Sequence, residues 1–259
     1  MNNRTQQQNT RVDSTDRVVV VTGAGTGIGR ATARAFAREG ATVVAVGRRR
    51  GPLDETAEGF PGIRPLVADI TAPGAPEDIV RTTVGNHGRL DVLVNNAGIA
   101  TGGPLGTLGR ETIGPLLETN LVAPVLLTQA ALDALTTARG VVVNVTTTVG
   151  QRGWPNNSVY PATKSALETL TRCWALELAP RGVRVVAVAP GAIDTPIADH
   201  TGLTPEQRRA VRAWQIAHTP LGRIGRPEEV AWAVTALASP DAAFLTGTVL
   251  PVDGGALVS

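Results

Sequence analysis

The sequence predicts an α/β fold, a doubly wound parallel sheet of about seven strands with helices on both faces, and three observations predict it. Short β-branched runs alternate with longer stretches of helical spacing, the runs are apolar throughout, and the first of them ends in a glycine-rich turn that opens a helix. Alternation of this kind builds parallel strands joined by helical crossovers, and a run with no polar face is a strand covered on both sides.

Taken in order, a polar lead to about Asp16 is expected to be a disordered tail over residues 1–15, with residues 16–259 forming a single domain. Arg17–Val21 reads as the first strand, stopped by Thr22 and Gly23. Similar runs at Thr42–Val46, Arg64–Val67, Asp91–Val94, Val141–Val145, Val183–Val188 and Thr248–Val252 complete the seven. Between them, Ile28–Glu39, Asp78–Asn86, Thr112–Leu135, Tyr160–Leu178 and Pro227–Ala238 carry helical periodicity. The stretch from Pro196 to Thr219 has little periodicity and reads as a mobile lid over the substrate.

Bulk properties narrow the function. A chain of 259 residues is long enough for one well-buried domain. No uninterrupted apolar run reaches the roughly 18 residues that span a bilayer, so no membrane association is expected. The first residues lack the apolar core of an export signal, which makes a cytoplasmic location the expectation. The net charge of +2, with positive charge concentrated only at Arg48–Arg50, argues against nucleic acid and for a smaller phosphate. The single cysteine, Cys173, excludes an internal disulfide and reads as a small buried hydrophobe; His87, His200 and His218 share no metal spacing, so no metal is expected.

The turn after the first strand reads Thr22-Gly23-Ala24-Gly25-Thr26-Gly27-Ile28-Gly29. Its glycines lie at 23, 27 and 29 rather than in the usual G-x-G-x-x-G spacing, yet the physical role is the same. Glycine lets backbone approach a pyrophosphate, whose charge is met by the amides of the helix starting near Ile28. A doubly wound, Rossmann-type sheet then puts ligands beyond the carboxyl ends of its strands. The second strand runs into Gly47-Arg48-Arg49-Arg50 with no acid to bind ribose hydroxyls. Arginine there pairs with a 2′-phosphate, so NADP(H) is preferred, with Arg48 first and Arg49 second as its contacts, and NAD(H) is the alternative. Asp69 follows the third strand, where it would meet the adenine.

The sharpest signal is compositional. Of 24 basic side chains only one is lysine, Lys164, and the chain's one tyrosine, Tyr160, stands four residues before it, on the same helical face. Arginine does not titrate and no other side chain is a phenol, so a site needing both chemistries explains why these two survive. A phenol with a pKa of about 10 is a poor base near neutrality, and the Lys164 ammonium is expected to stabilise its phenolate.

With these motifs in hand the sequence resembles the single-domain branch of the short-chain dehydrogenase/reductase family, ketoreductases in particular, over nearly all of residues 16 to 259. The resemblance rests on Thr22–Gly29, Asp69-Ile70, Asn95-Asn96-Ala97-Gly98, Asn120, Tyr160 to Lys164, Pro190-Gly191 with Thr195, and Asp253-Gly254-Gly255, in that order. It implies a nicotinamide cofactor and interconversion of a secondary alcohol and a carbonyl. It also implies that Gly23, Gly25, Thr26, Gly27, Ile28, Gly29, Asp69, Ile70, Asn96, Ala97, Gly98, Tyr160, Lys164, Pro190, Gly191, Ile193 and Thr195 contact that cofactor. Members usually place a serine thirteen residues before the tyrosine; here that position is Thr147, which offers the hydroxyl with a stiffer χ1. If the strand continues through Thr146, Thr147 and Thr148, alternation turns only the middle one to the opposite face; Ser158 is the fallback hydroxyl.

The resemblance gives Asn120 a water that passes protons to the lysine. The residues supply a reason, since Pro124 lacks the N–H that the Asn120 carbonyl would otherwise accept. The resemblance also suggests a homotetramer or homodimer. The leading reading is an NADPH-dependent reductase of a ketone or β-keto thioester, with Tyr160 as acid/base and Asn120, Thr147 and Lys164 completing the catalytic set. An NAD-dependent alcohol dehydrogenase and a cofactor-binding regulator without turnover are the alternatives.

Overall fold

The structure is a computed structural model that describes residues 17–151, 156–197 and 204–259. The tail assigned to residues 1–15, His200 and part of the stretch read as a lid lie outside the described residues.

Seven strands form one sheet: β1 (Val18–Thr22), β2 (Thr42–Gly47), β3 (Ile63–Val67), β4 (Val92–Asn95), β5 (Val141–Val145), β6 (Arg184–Pro190) and β7 (Val249–Val252). Each lies within two residues of its sequence reading. The order is β3-β2-β1-β4-β5-β6-β7 and every pairing is parallel. The chain winds outward from β1 to β3, then returns to place β4 on the other side of β1. That reversal opens a crevice at the carboxyl ends of β1 and β4.

Both faces of the sheet are covered, which is why its strands carry no polar alternation. Val19 and Val21 point to one side, where α1 (Gly27–Arg38) and α8 (Pro227–Ala238) pack through Phe36, Ala33, Val230 and Val234. Val20 points to the other, against α3 (Ala75–His87), α5 (Ala123–Ala138) and α6 (Val159–Leu178), through Ile79, Leu127, Leu135 and Ala175. Phe36 is fully buried, and a side chain of that kind contributes about 1.5–3 kcal/mol by leaving water.

Four sequence readings need correction. The helix read at Thr112–Leu135 is a continuous rod of α4 (Arg110–Leu117), a π turn (Glu118–Val122) and α5. By length and composition Arg110–Ala138 is apolar enough to cross a membrane, although polar and charged side chains such as Glu111, Glu118, Asn120 and Asp133 break up its apolar runs. Leu116, Ala123, Leu127, Ala131 and Leu135 on this rod are buried within the protein. Second, α2 (Arg50–Ala57) is absent from the helices read in the sequence; Gly51 and Pro52 disguised it, although proline is compatible with a first helical turn. Third, α7 (Pro205–Ala217) is a regular helix within the stretch read as lacking periodicity. None of its residues is buried, so no apolar stripe marks it, but Thr204 and Gln207 form a capping box that the sequence displays. Fourth, Cys173 is exposed on α6, because the helix turns that position away from the sheet.

The start of α8 carries a charged cap. Glu229 accepts hydrogen bonds from the Arg226 backbone N–H at 2.7 Å and from Arg223 Nη1 at 2.8 Å. Just before this cap, Gly225 pairs with the strand-like segment around Ile193. The Arg223 hydrogen bonds hold the Glu229 carboxyl down at about 2, below its ordinary 4.5. A carboxyl depressed in the folded state stabilises the fold above its unfolded pKa and loses that contribution as pH falls. Acid titration of the fold is therefore expected to expose a loss between about pH 4.5 and 2 that Glu229→Gln removes. An unchanged acid profile in the variant would rule out this linkage.

Candidate active site

The segments that follow β1, β4 and β6 meet at the crevice. β1 ends in the glycine turn, where Gly23 and Gly27 hold left-handed backbone with φ of +65° and +51°. A Cβ on Gly23 would lie 2.8 Å from the Cα of Ala97, and one on Gly27 would lie 3.1 Å from Thr195 Cγ2. The turn, the segment after β4 and the segment after β6 therefore meet only because these positions carry no side chain. Gly25 faces Pro52 of α2, and Gly29 is packed against the Gly23 carbonyl. Gly191 packs against Asp253, with a Cβ there only 2.7 Å from Asp253 Cβ.

The residues fit a dinucleotide phosphate. Thr26 caps α1 without a side-chain hydrogen bond, and no acidic residue stands in the first turn, so the helix presents backbone amides to an anion. Arg48 and Arg49, just past β2, are exposed and form no ion pair among the described residues, while Arg50 is engaged with Asp54. Arg48 attracts Asp69, whose carboxyl is held low chiefly by the Thr71 backbone N–H it accepts at 3.0 Å. Ile70 beside it is buried.

Two contributors escaped the sequence reading. The Thr22 hydroxyl accepts from the backbone N–H groups of Asn96 and Ala97, both at 3.0 Å, and the Asn96 side chain donates back to the Thr22 carbonyl at 2.8 Å. Arg30 donates to the Gly25 carbonyl at 2.6 and 3.0 Å, to Pro52 O and to Thr56 Oγ1. It clamps α2 to the glycine turn. Because α2 was not legible, Arg30 had no visible partner in the sequence.

Beyond β4 and β5 lies a second group. Asn120 is wholly buried in the π turn; its Oδ1 accepts from Ile99 N and its Nδ2 donates to Ile99 O, each at 3.0 Å, and to Thr163 Oγ1 at 3.1 Å. Thr163 in turn donates to the Tyr160 carbonyl at 2.7 Å. The Asn120 side chain thus ties the segment after β4 to the first turn of α6. Pro124 removes one donor from the helix ladder, and at this place the rod widens to π geometry, with Ala123 N donating to Glu118 O.

Lys164 is buried, and its ammonium donates to the Val145 carbonyl at 2.9 Å. Gly98 covers it, since a Cβ there would lie 3.3 Å from Nζ and 3.2 Å from Asn120 Oδ1. Burial pushes Lys164 down to about 8. The Tyr160 phenol is raised above its ordinary 10 by desolvation, with the Thr147 hydroxyl opposing the rise. The Lys164 charge is thus directed at a carbonyl, and burial favours the neutral form of both groups.

The three threonines also differ from the alternation expected of them. β5 ends at Val145, so Thr147 and Thr148 both direct their hydroxyls to the Pro190 carbonyl, at 3.3 and 3.4 Å, while Thr146 turns to Glu168. A 3-10 turn (Thr148–Gln151) curls the chain before strand alternation can continue. Ser158 is exposed at the start of α6. No cluster of three or more metal-ligating side chains occurs among the described residues.

Comparison with known proteins places this geometry. A family profile described as enoyl-(acyl carrier protein) reductase matches residues 23–256. The chain is 40% identical over 247 residues to a 3-oxoacyl-acyl-carrier-protein reductase of Thermotoga maritima, covering 93% of this chain and 98% of that one. It is 41% identical over 246 residues to a cis-4-hydroxycyclohexanecarboxylate dehydrogenase of Sinomonas cyclohexanicum, covering 93% and 96%. The crystal structure of a 3-ketoacyl-(acyl-carrier-protein) reductase from Brucella melitensis, complexed with NADH, superposes with a TM-score of 0.86 at 31% identity over 93% of this chain and 98% of that one. Likeness of this extent in both sequence and fold makes the chain a member of the short-chain dehydrogenase/reductase family.

Proposed function

We propose that the chain is an NADP(H)-dependent oxidoreductase that interconverts a ketone, or β-keto thioester, and a secondary alcohol. One observation carries this reading: the chain's sole tyrosine and sole lysine lie on one turn of α6, at the crevice where the glycine turn, Gly98, Asn120 and Thr147 meet. A bound nicotinamide supplies the hydride. In reduction, Tyr160 gives its phenolic proton to the carbonyl oxygen and Thr147 holds that oxygen by its hydroxyl. Lys164 contributes positive charge beside the reacting centre, and Asn120 fixes the backbone that frames it. A phenol raised by burial is protonated at neutral pH, which suits a proton donor.

The relatives bear on direction and cofactor unevenly. The Thermotoga protein is named a reductase and the Sinomonas protein a dehydrogenase, so both directions occur among them. The Brucella protein is complexed with NADH, which favours the NAD reading; Arg48 and Arg49 favour NADPH. A charge-assisted bond to a 2′-phosphate contributes about 1.5–3 kcal/mol, or roughly tenfold and more in kcat/KM. Initial rates of reduction of an acetoacetyl thioester and of cyclic ketones are expected to be at least that much faster with NADPH than with NADH, and Arg48→Ala to erase the difference by slowing only the NADPH reaction. Equal rates, or a preference for NADH, would overturn the assignment to Arg48 and leave the NAD-dependent dehydrogenase standing.

A further inference from the structure

Glu168 lies one helical turn beyond Lys164 and two beyond Tyr160 on α6, and only 6% of its surface is exposed. A carboxylate buried this far requires donors. Its Oε1 accepts from the Thr146 hydroxyl at 3.1 Å and from the Gln151 side-chain amide at 3.3 Å. The Arg172 guanidinium stands 3.9 Å from Oε2 and is more than half exposed, so water screens it. One carboxylate therefore grips both ends of Thr146–Gln151, the segment that contains Thr147. The other side-chain bonds of that segment join main-chain groups: Thr146 to Val188 O at 3.3 Å, Thr147 and Thr148 to Pro190 O at 3.3 and 3.4 Å, Val149 N to Thr147 Oγ1 at 3.4 Å, and the Ser165 hydroxyl to Gly150 O at 3.4 Å. Bonds to a carboxylate are the stronger kind.

We propose that Glu168 is a positioning residue, a brace that ties the phenol-bearing helix to the turn carrying Thr147 and so sets the Thr147 hydroxyl against the Tyr160 phenol. The proposal rests on the catalytic reading of Tyr160 and Thr147 given above. Small displacements of a reacting group cost roughly tenfold to a hundredfold in rate, so a loosened brace is felt in kcat while nucleotide affinity is untouched.

A double-mutant cycle on the full chain tests it. Glu168→Ala, Glu168→Gln and Thr146→Val are made in the wild-type and in the Thr147→Ala backgrounds, and kcat, KM for the carbonyl and nucleotide affinity are measured for each. In the wild-type background Glu168→Ala is expected to lower kcat about tenfold with unchanged nucleotide affinity. Glu168→Gln is expected to restore most of that loss, because an amide oxygen accepts from the same two donors. With Thr147 already truncated, Glu168→Ala should cost nothing further, since a brace with no hydroxyl to position has no catalytic effect. Losses that multiply in the double variant, or wild-type kcat in folded Glu168→Ala, would overturn the proposal. Should Glu168→Ala not fold, Thr146→Val cuts the same brace at the other end and is read by the same cycle. If Thr147→Ala and Tyr160→Phe both turn over normally, the catalytic reading itself has failed; if those two are impaired and Glu168→Ala is merely additive, only the brace has.

Discussion

Tyr160→Phe is expected to leave a folded protein that still binds nicotinamide nucleotide but reduces carbonyls about 10²–10⁴-fold more slowly, the usual contribution of a positioned general acid. The substitution removes one oxygen and leaves the ring, and the surrounding main chain is held by Thr163 and Asn120 rather than by the phenol. Melting temperature and nucleotide titration should therefore match the wild type while steady-state kcat collapses. Turnover within tenfold of wild type would remove Tyr160 from the chemistry. The pH dependence gives a second reading. Tyr160 is raised from 10 and remains protonated through neutral and mildly alkaline pH, whereas Lys164, lowered to about 8, loses its charge as pH rises through that value. The rate of reduction is expected to be level below about pH 8 and to fall above it, with the fall abolished in Lys164→Met on whatever activity remains. A basic limb that persists in that variant would assign it to another group.

Gly29→Ala is expected to damage both fold and nucleotide binding. A Cβ at this position would press into the Gly23 carbonyl oxygen and lie 2.5 Å from Asn96 Nδ2, the atom that donates to the Thr22 carbonyl. Neither neighbour can yield cheaply, because one is backbone at the end of β1 and the other holds the segment after β4. Overpacking of this kind costs about 1–3 kcal/mol, and at about 2–4 °C per kcal/mol for a protein of this size the melting temperature should drop by several degrees. Nucleotide affinity should fall as well, since the helix would be pushed off the turn whose amides it presents. Gly85→Ala on α3 is the control: its Cβ would meet nothing within 4 Å. A Gly29→Ala protein as stable and as nucleotide-competent as Gly85→Ala would contradict the packing argument.

Much of this was legible in the chain because the relevant physics is local. Valine-rich runs that bury both faces, glycines at positions that demand left-handed backbone, and a tyrosine and lysine one turn apart are all set by spacing along the sequence. What failed to read were features whose cause lies in another segment. Arg30 has meaning only once α2 stands beside it, and Glu168 only once the turn after β5 folds back onto α6. The π turn at Asn120 was half visible, through Pro124, but nothing in the sequence foretold that the asparagine side chain would be fully engaged with Ile99 and Thr163.

By itself, then, the sequence determined the seven strands, their parallel winding, the glycine turn and the spacing that puts the tyrosine and lysine one turn apart on α6, since periodicity and residue type suffice for each. Tertiary structure alone decided how that phenol and that amine are buried. Desolvation depends on everything packed around a group, and here it raises the phenol and lowers the amine, the reverse of what two neighbouring residues suggest when considered without their surroundings.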